Sequence, residues 1–201
     1  MQSFKVPSQP AVNEIELILR AQRGDRSAFS ELVCLHSRGV SRVVFRMCGD
    51  LQLAEDAAQE AFLQAWQHLP SYCPGMSLRN WLYRIAVNAA IDMLRRNKQI
   101  LPGSLEDMPL QDRAPGPETV ATREELVAFI QKAVLSLPEA SRAVLVLREY
   151  EGMSYQEISD ALDIPLGTVM SRLNYARRLL KKMLESGFLG EMEAEDAQTY
   201  A

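Results

Sequence analysis

The residues able to do chemistry in this sequence are cations and amides spaced along helices. They are not paired acids, nucleophiles or metal ligands. From Leu166 to Lys182 the run "LGTVMSRLNYARRLLKK" holds five basic residues and no acidic one, although the formal net charge of the 201-residue chain is −4. A second run, "RNWLYRIAVNAAIDMLRRNK" (79–98), has five basic residues against one acid. On a helix Arg84, Asn88 and Arg95 share a face, with Trp81 and Tyr83 close by and Tyr72 just upstream. Guanidinium and amide groups hold phosphates and base edges, and aromatic rings stack on unpaired bases. The net charge thus hides two basic stripes, the electrostatic signature of nucleic-acid contact.

Catalysis has far less support. His36 and His68 are the only histidines, and neither is spaced with Cys or carboxylates as a metal or nucleophile site requires. No glycine-rich phosphate loop is present. Cys34, Cys48 and Cys73 lack a C-x-x-C spacing and are odd in number, which suggests neither a zinc site nor a disulfide framework. We therefore expect no enzyme activity, cofactor, metal or small-molecule substrate. With no long apolar run and no signal-like start, a soluble cytoplasmic protein is expected.

The elements that must position these groups are helices. Apolar residues recur at three and four throughout, and no strand alternation persists. The expectation is an all-α chain of two small helical domains joined by a flexible linker, the C-terminal one a helix-turn-helix. Gly24 and Gly49 end the first two helices, with Gly39 a candidate interruption of the second. "LAEDAAQEAFLQAWQHL" stops before Pro70, and Ser77 is placed to cap the helix holding Leu78, Trp81, Leu82, Ile85 and Ala89 on one apolar stripe. The Pro-rich acidic stretch from Gln99 reads as linker. Beyond it, Pro138 suits the first turn of a helix closed by Gly152. Ser154 and Glu157 then form a capping box before "YQEISDAL", a four-residue turn follows, and a basic helix starts near Thr168.

A capped short helix, a turn and a longer basic helix match the helix-turn-helix geometry. Ile158, Leu162, Ile164, Val169 and Leu173 can seal the pair, with Ala161 permitting close approach. Ser171, Arg172, Asn174 and Tyr175 are the groove-facing candidates, and Arg177, Arg178, Lys181 and Lys182 the phosphate partners. A solvated surface helix with a basic tail accounts for the same cations without DNA.

Four blocks in order resemble the extracytoplasmic-function (ECF) sigma factors of the sigma-70 superfamily: "AQRGDRSAFSELV", "EDAAQEAFLQAW", "WLYRIAVNAAIDMLRR" and "LPEASRAVLVLREYEGMSYQEISDALDIPLGTVMSRLNYARRLL". The resemblance spans roughly Glu14 to Leu184. It implies a region-2-like domain (1–98), a linker (99–118), a region-4-like domain (119–184) and an acidic tail (185–201). Asp56, Gln59, Glu60 and Phe62 would dock on the β′ clamp of core RNA polymerase, which also has contacts through its β subunit. The loop 67–77 would capture a flipped base of the promoter −10 strand, with Tyr72, Trp81, Arg84, Asn88, Arg95 and Arg96 as the strand-binding set. The −35 duplex would fall to Thr168, Ser171, Arg172, Asn174, Tyr175, Arg177, Arg178 and Lys181, with Glu106, Asp107 and Asp112 of the linker following a channel built for nucleic acid. The resemblance also implies an anti-sigma partner, often membrane-bound, which would hold the protein at the inner membrane face. Met170 stands where the family often has Arg, so the −35 sequence does not carry over. A conventional helix-turn-helix regulator with a ligand-sensing N-terminal half remains the rival reading. It predicts palindromic sites and DNA binding without polymerase.

Overall fold

The computed structural model describes residues 13–73, 75–100 and 123–188. Within them the chain forms α1 (Glu14–Gln22), α2 (Arg26–Cys48), α3 (Leu51–His68), α4 (Leu78–Ile100), α5 (Arg123–Leu135), α6 (Glu139–Leu145), α7 (Tyr155–Leu162) and α8 (Leu166–Phe188). No strand occurs among the described residues, as the three-and-four periodicity requires.

Local chemistry sets most helix ends. Asp25 caps α2 by accepting from the Ser27 and Ala28 amides, and Asp50 caps α3 by accepting from Leu53. Gly49 closes α2 in the left-handed region at φ 73°, a conformation that costs a side-chain-bearing residue more. Pro70 lies in a single 3-10 turn, Leu69–Ser71, directly after α3.

Three expectations need correction. Gly39 does not interrupt α2, which is continuous, and its missing side chain serves a different need: an added Cβ would lie 2.5 Å from the Tyr83 hydroxyl of α4. Pro138 is the N-cap of α6 and not a residue of its first turn. The turn before the last helix has three residues, Asp163–Pro165. Asp163 turns the chain at φ 53°, and the Thr168 and Val169 amides bond to Pro165 O, so α8 begins two residues before Thr168. The linker (99–118) and the tail (185–201) lie outside the described residues except at their first residues, where α4 runs on to Ile100 and α8 to Phe188.

Helices α1 to α4 bundle around Leu32, Val40, Val43, Val44, Met47, Leu82 and Ala86. The alanines 54, 57, 61 and 65 form the buried stripe of α3 and let it approach α2 and α4 closely. In the C-terminal half, α6, α7 and α8 close over Val144, Leu147, Met153, Ile158, Ala161, Val169, Leu173 and Ala176. The two halves also pack on each other: α4 lies against α7, and α2 against α5, α6 and the turn after α6, so one continuous apolar core runs through both.

Arg142 rivets this junction. Its guanidinium, on a residue only 7% exposed, donates to Met47 O at the end of α2, to Leu135 O at the end of α5 and to Leu137 O in the turn beyond it. Carbonyls at helix C-termini lack intrahelical donors, and one planar fork satisfies two of them together with the turn carbonyl here. Burial lowers the Arg142 pKa from its ordinary value.

Candidate nucleic-acid interface

The helix-turn-helix is built from its cap upward. Ser154 Oγ accepts from the Glu157 amide at 3.2 Å, and Glu157 Oε2 accepts from the Ser154 amide at 2.8 Å, completing the box. Ser159 Oγ donates to Ile164 O at 2.6 Å across the turn. Buried Ile158, Ala161, Val169 and Leu173 join α7 to α8, with Leu162 and Ile164 half-buried beside them.

This seal fixes which side of α8 faces water. Ser171, Asn174, Tyr175, Arg178, Lys181 and Lys182 are exposed, and Thr168 and Arg172 are half-buried. Arg178 leans over the Tyr175 ring at 5.9 Å. The cations are not equally available. Arg177 donates to Glu149 Oε1 at 2.6 Å, which raises its pKa above the ordinary value, and Lys181 pairs with Glu185 at 3.5 Å.

On α3 the exposed residues Asp56 and Gln59 stand beside half-buried Glu60, which accepts from Gln64 at 2.8 Å. Phe62 belongs to a different face. It turns inward with Phe29, Leu32, Leu69, Leu78, Trp81 and Leu82 around a nearly filled apolar cavity of about 10 Å³.

The strand-binding set on α4 divides in the same way. Tyr72 is buried, tilts against Trp81 with ring centroids 5.2 Å apart, and donates to Met76 O at 2.6 Å, so it shapes the loop and offers no free stacking face. Burial raises the pKa of the Tyr72 hydroxyl. Trp81 is half-buried, and Asn88 and Arg96 are exposed. Arg84 reaches Asp163 at 3.5 Å and Arg95 reaches Glu139 at 3.6 Å, both partners in the other half.

Further residues complete this junction, and of them only Tyr83 and Glu157 were named from sequence. Glu151, whose side chain is 3% exposed, accepts from Arg42 through both oxygens (3.2 and 2.9 Å) and from the Tyr83 hydroxyl at 2.6 Å. Burial alone would raise its pKa, but the Arg42 and Tyr83 hydrogen bonds outweigh that and hold it below the ordinary value. Burial, with the Glu151 carboxylate next to it, pushes Tyr83 up to about 12. Asn80, 4% exposed, donates through Nδ2 to Glu157 at 3.1 Å, while its buried Oδ1 has no hydrogen-bond partner. A π turn at Val146–Tyr150 brings Glu151 to α2 and seats Tyr150 under Arg46 at 4.1 Å. A lone acid after a helix gives no sequence signal for a partner more than a hundred residues away. The buried Asn80 lies away from the apolar stripe of α4, on the side of Tyr83 and Val87, so the spacing did not flag it either.

His36 pairs with Glu14 at 2.6 Å, and no group of three or more potential metal ligands occurs among the described residues. Among those residues, no helix is long and apolar enough to cross a membrane.

Residues 32–100 match the Sigma-70 region 2 family and residues 130–180 the Sigma-70, region 4 family. The chain is 35% identical over 181 residues to the RNA polymerase sigma-H factor of Pseudomonas aeruginosa, covering 85% of this chain and 93% of that one. It is also 35% identical over 176 residues to the ECF RNA polymerase sigma factor SigW of Bacillus subtilis, covering 83% and 94%. Among solved structures it resembles CnrH in complex with the cytosolic domain of CnrY, with a TM-score of 0.64 at 26% identity over 86% of this chain and 97% of that one. The fold is shared with the sigma factor RpoE in complex with the anti-sigma factor NepR from Bartonella quintana, at a TM-score of 0.61 and 22% identity, covering 78% and 96%. With both regions matched in order and its relatives covered almost end to end, the chain belongs to the ECF sigma factors, sigma-70-type factors of transcription initiation.

Proposed function

We propose that this sigma factor binds core RNA polymerase through the outer face of α3 and directs it to promoters of two elements. Residues 1–98 would capture and melt the −10 strand and residues 119–184 would bind the −35 duplex. The intervening segment (99–118) would connect the two, and the tail (185–201) has no assigned role. The observation that carries this reading is α8 itself. Behind a complete capping box and a sealed turn, it presents Ser171, Asn174, Tyr175 and Arg178 on the side away from its core contacts, with half-buried Arg172 on the flank.

Asp56, Gln59 and Glu60 are the docking residues this supports, with Phe62 holding α3 in place from behind. Asn88, Arg84, Arg95 and Arg96 are the −10 contacts, and Tyr72 with Trp81 forms the wall of the base-capturing loop. Because CnrH is solved with the cytosolic domain of CnrY, we also assign this chain a protein regulator, of the anti-sigma kind that the ECF resemblance implies, acting in the cytoplasm or at the inner face of the membrane.

The test is transcription by sigma-free core polymerase, reconstituted with the purified chain on genomic fragments. New start sites sharing two upstream elements are expected. Arg172→Ala should weaken −35 duplex binding, and Asn88→Ala should reduce melting near the start site. No transcripts, together with tight duplex binding by the chain alone, would favour the conventional regulator.

A further inference from the structure

The first cation of α8 is Arg172, so residues 166–171, the end that a helix-turn-helix turns toward base edges, carry no charge. Within them Leu166 and Met170 are 42% and 46% exposed, and neither packs on the apolar core. Scattered exposed apolar side chains are ordinary, but these two stand one turn apart. Steps of four residues align Leu166, Met170, Asn174 and Arg178 as one ridge, and all four are exposed. The ridge is apolar where it begins, an amide in the middle and a cation at its far end. Polar groups near its start are engaged elsewhere: Ser171 Oγ donates back to Thr168 O at 3.1 Å, and half-buried Arg172 lies on the opposite flank. The backbone there is open to close approach, since a Cβ added at Gly167 would meet nothing within 4 Å.

We propose that Met170, with Leu166 beside it, recognises the C5-methyl group of a thymine in the major groove of the −35 duplex. The inference rests on the −35 assignment above and names the base feature that α8 reads first. Neither a thioether nor an isobutyl group supplies a strong hydrogen-bond donor or acceptor. Pressed against the N7 and O6 acceptors of guanine or the amino groups of cytosine and adenine, such side chains take polar atoms out of water and return nothing. Thymine alone among the four bases presents a methyl group on its major-groove edge, and burying that methyl against Met170 is favourable. Methionine is also unbranched and adaptable, which lets it reach a methyl group on either strand.

The ridge spacing keeps this readout separate from its neighbours. Four residues of α-helix rise about 6 Å, a little under two base steps of about 3.4 Å. Asn174 therefore meets a base pair about two steps from the thymine and does not compete for it. Arg178 lies a further turn along, under which the Tyr175 ring sits at 5.9 Å, and is placed for phosphate. Because Leu166 and Met170 are exposed and outside the core, replacing either leaves the helix-turn-helix seal intact.

The holoenzyme allows a direct test. Core polymerase reconstituted with the full-length chain is offered a promoter library randomised over the upstream element, and sequencing the transcripts gives the preferred −35 sequence. In that promoter each thymine of the element, on either strand, is replaced singly by deoxyuridine, which removes the methyl group and keeps the base pair. Filter binding on ice then reads the affinity of the closed complex. At one thymine the replacement should weaken binding about fourfold, the effect of exposing one methyl group. Met170→Ala should bind the unmodified promoter about fourfold less tightly and be indifferent to deoxyuridine at that position. Deoxyuridine outside the element should change nothing in either protein. A preferred element without thymine, one whose every thymine tolerates deoxyuridine, or a fourfold loss that persists in Met170→Ala overturns the methyl inference and leaves the −35 assignment standing. A library from which no upstream preference emerges overturns the assignment and the inference together.

Discussion

Replacing Gly39 with alanine should destabilise the protein, against what helix propensity alone dictates. Gly39 lies inside α2, where alanine is worth about 1 kcal/mol more than glycine. The added Cβ would meet the Tyr83 hydroxyl at 2.5 Å and two ring carbons at 3.3 Å, on a ring that is 3% exposed. Restoring ordinary contact requires a shift of about 1 Å, which pulls the hydroxyl away from Glu151. A lost hydrogen bond to a charged acceptor costs about 1.5–3 kcal/mol and overpacking about 1–3 kcal/mol. After the propensity gain is subtracted, the net cost is about 1.5–5 kcal/mol. Urea unfolding should show this as a midpoint lowered by about 0.7–2.5 M at an m near 2 kcal/mol/M. Tyr83→Phe removes the atom that clashes, so Gly39→Ala in that background should be close to neutral, with a coupling between the two sites about as large as that net cost. Additive effects, or a Gly39→Ala variant more stable than the parent, would refute the claim that this glycine exists to admit the Tyr83 hydroxyl.

Three further outcomes follow from the same geometry. Arg142→Met should cost about 3–5 kcal/mol in thermal or denaturant melts, since two helix-end carbonyls and one turn carbonyl lose their donor, and Arg142→Lys should not restore it because an ammonium lacks the planar fork. Ser154→Ala should cost about 0.5–2 kcal/mol by removing the α7 cap, measured by denaturant midpoint. Iodoacetamide at pH 8, followed by peptide mass analysis, should modify exposed Cys34 and Cys73 and spare Cys48. Burial pushes the Cys48 thiol up to about 11, so its reactive thiolate is scarce until pH rises far above the ordinary thiol range; labelling of Cys48 as fast as the other two would contradict that.

Which features were legible in the sequence depended on how far apart the determining residues lie. The Ser154–Glu157 box, the Gly49 and Gly152 closures and the stop before Pro70 are settled within a few residues, and all appear as expected. The apolar stripes of α4 and α8 follow from spacing alone. Gly39 misled because the same residue type marks a break or a close approach, and only α4, more than forty residues on, distinguishes them. Phe62 was grouped with Asp56, Gln59 and Glu60 because they share one motif block, yet Ala54, Ala57, Ala61 and Ala65 already fix the inward face of α3. One step from Ala61 is about 100° round the helix, so spacing leaves Phe62 on the flank of α3, and only the apolar residues of α2 and α4 around it turn it inward.

The acids proved hardest to read, and they matter most to function. The linker acids Glu106, Asp107 and Asp112, expected to follow a nucleic-acid channel, lie outside the described residues. Farther along, Glu139, Glu149 and Glu151 each pair with an arginine: Arg95, Arg177 and Arg42. Two of these acids, Glu139 and Glu149, thus balance candidate DNA-binding cations at close range, one across the junction and one within the helix-turn-helix. This changes what a salt titration of DNA binding measures. A cation that leaves a carboxylate to meet a phosphate exchanges one anionic partner for another, and its net contribution to affinity is small. Free cations such as Arg178 and Lys182 then carry most of the salt-dependent affinity of α8. The paired ones, Arg177 with Glu149 and Lys181 with Glu185, add little to it.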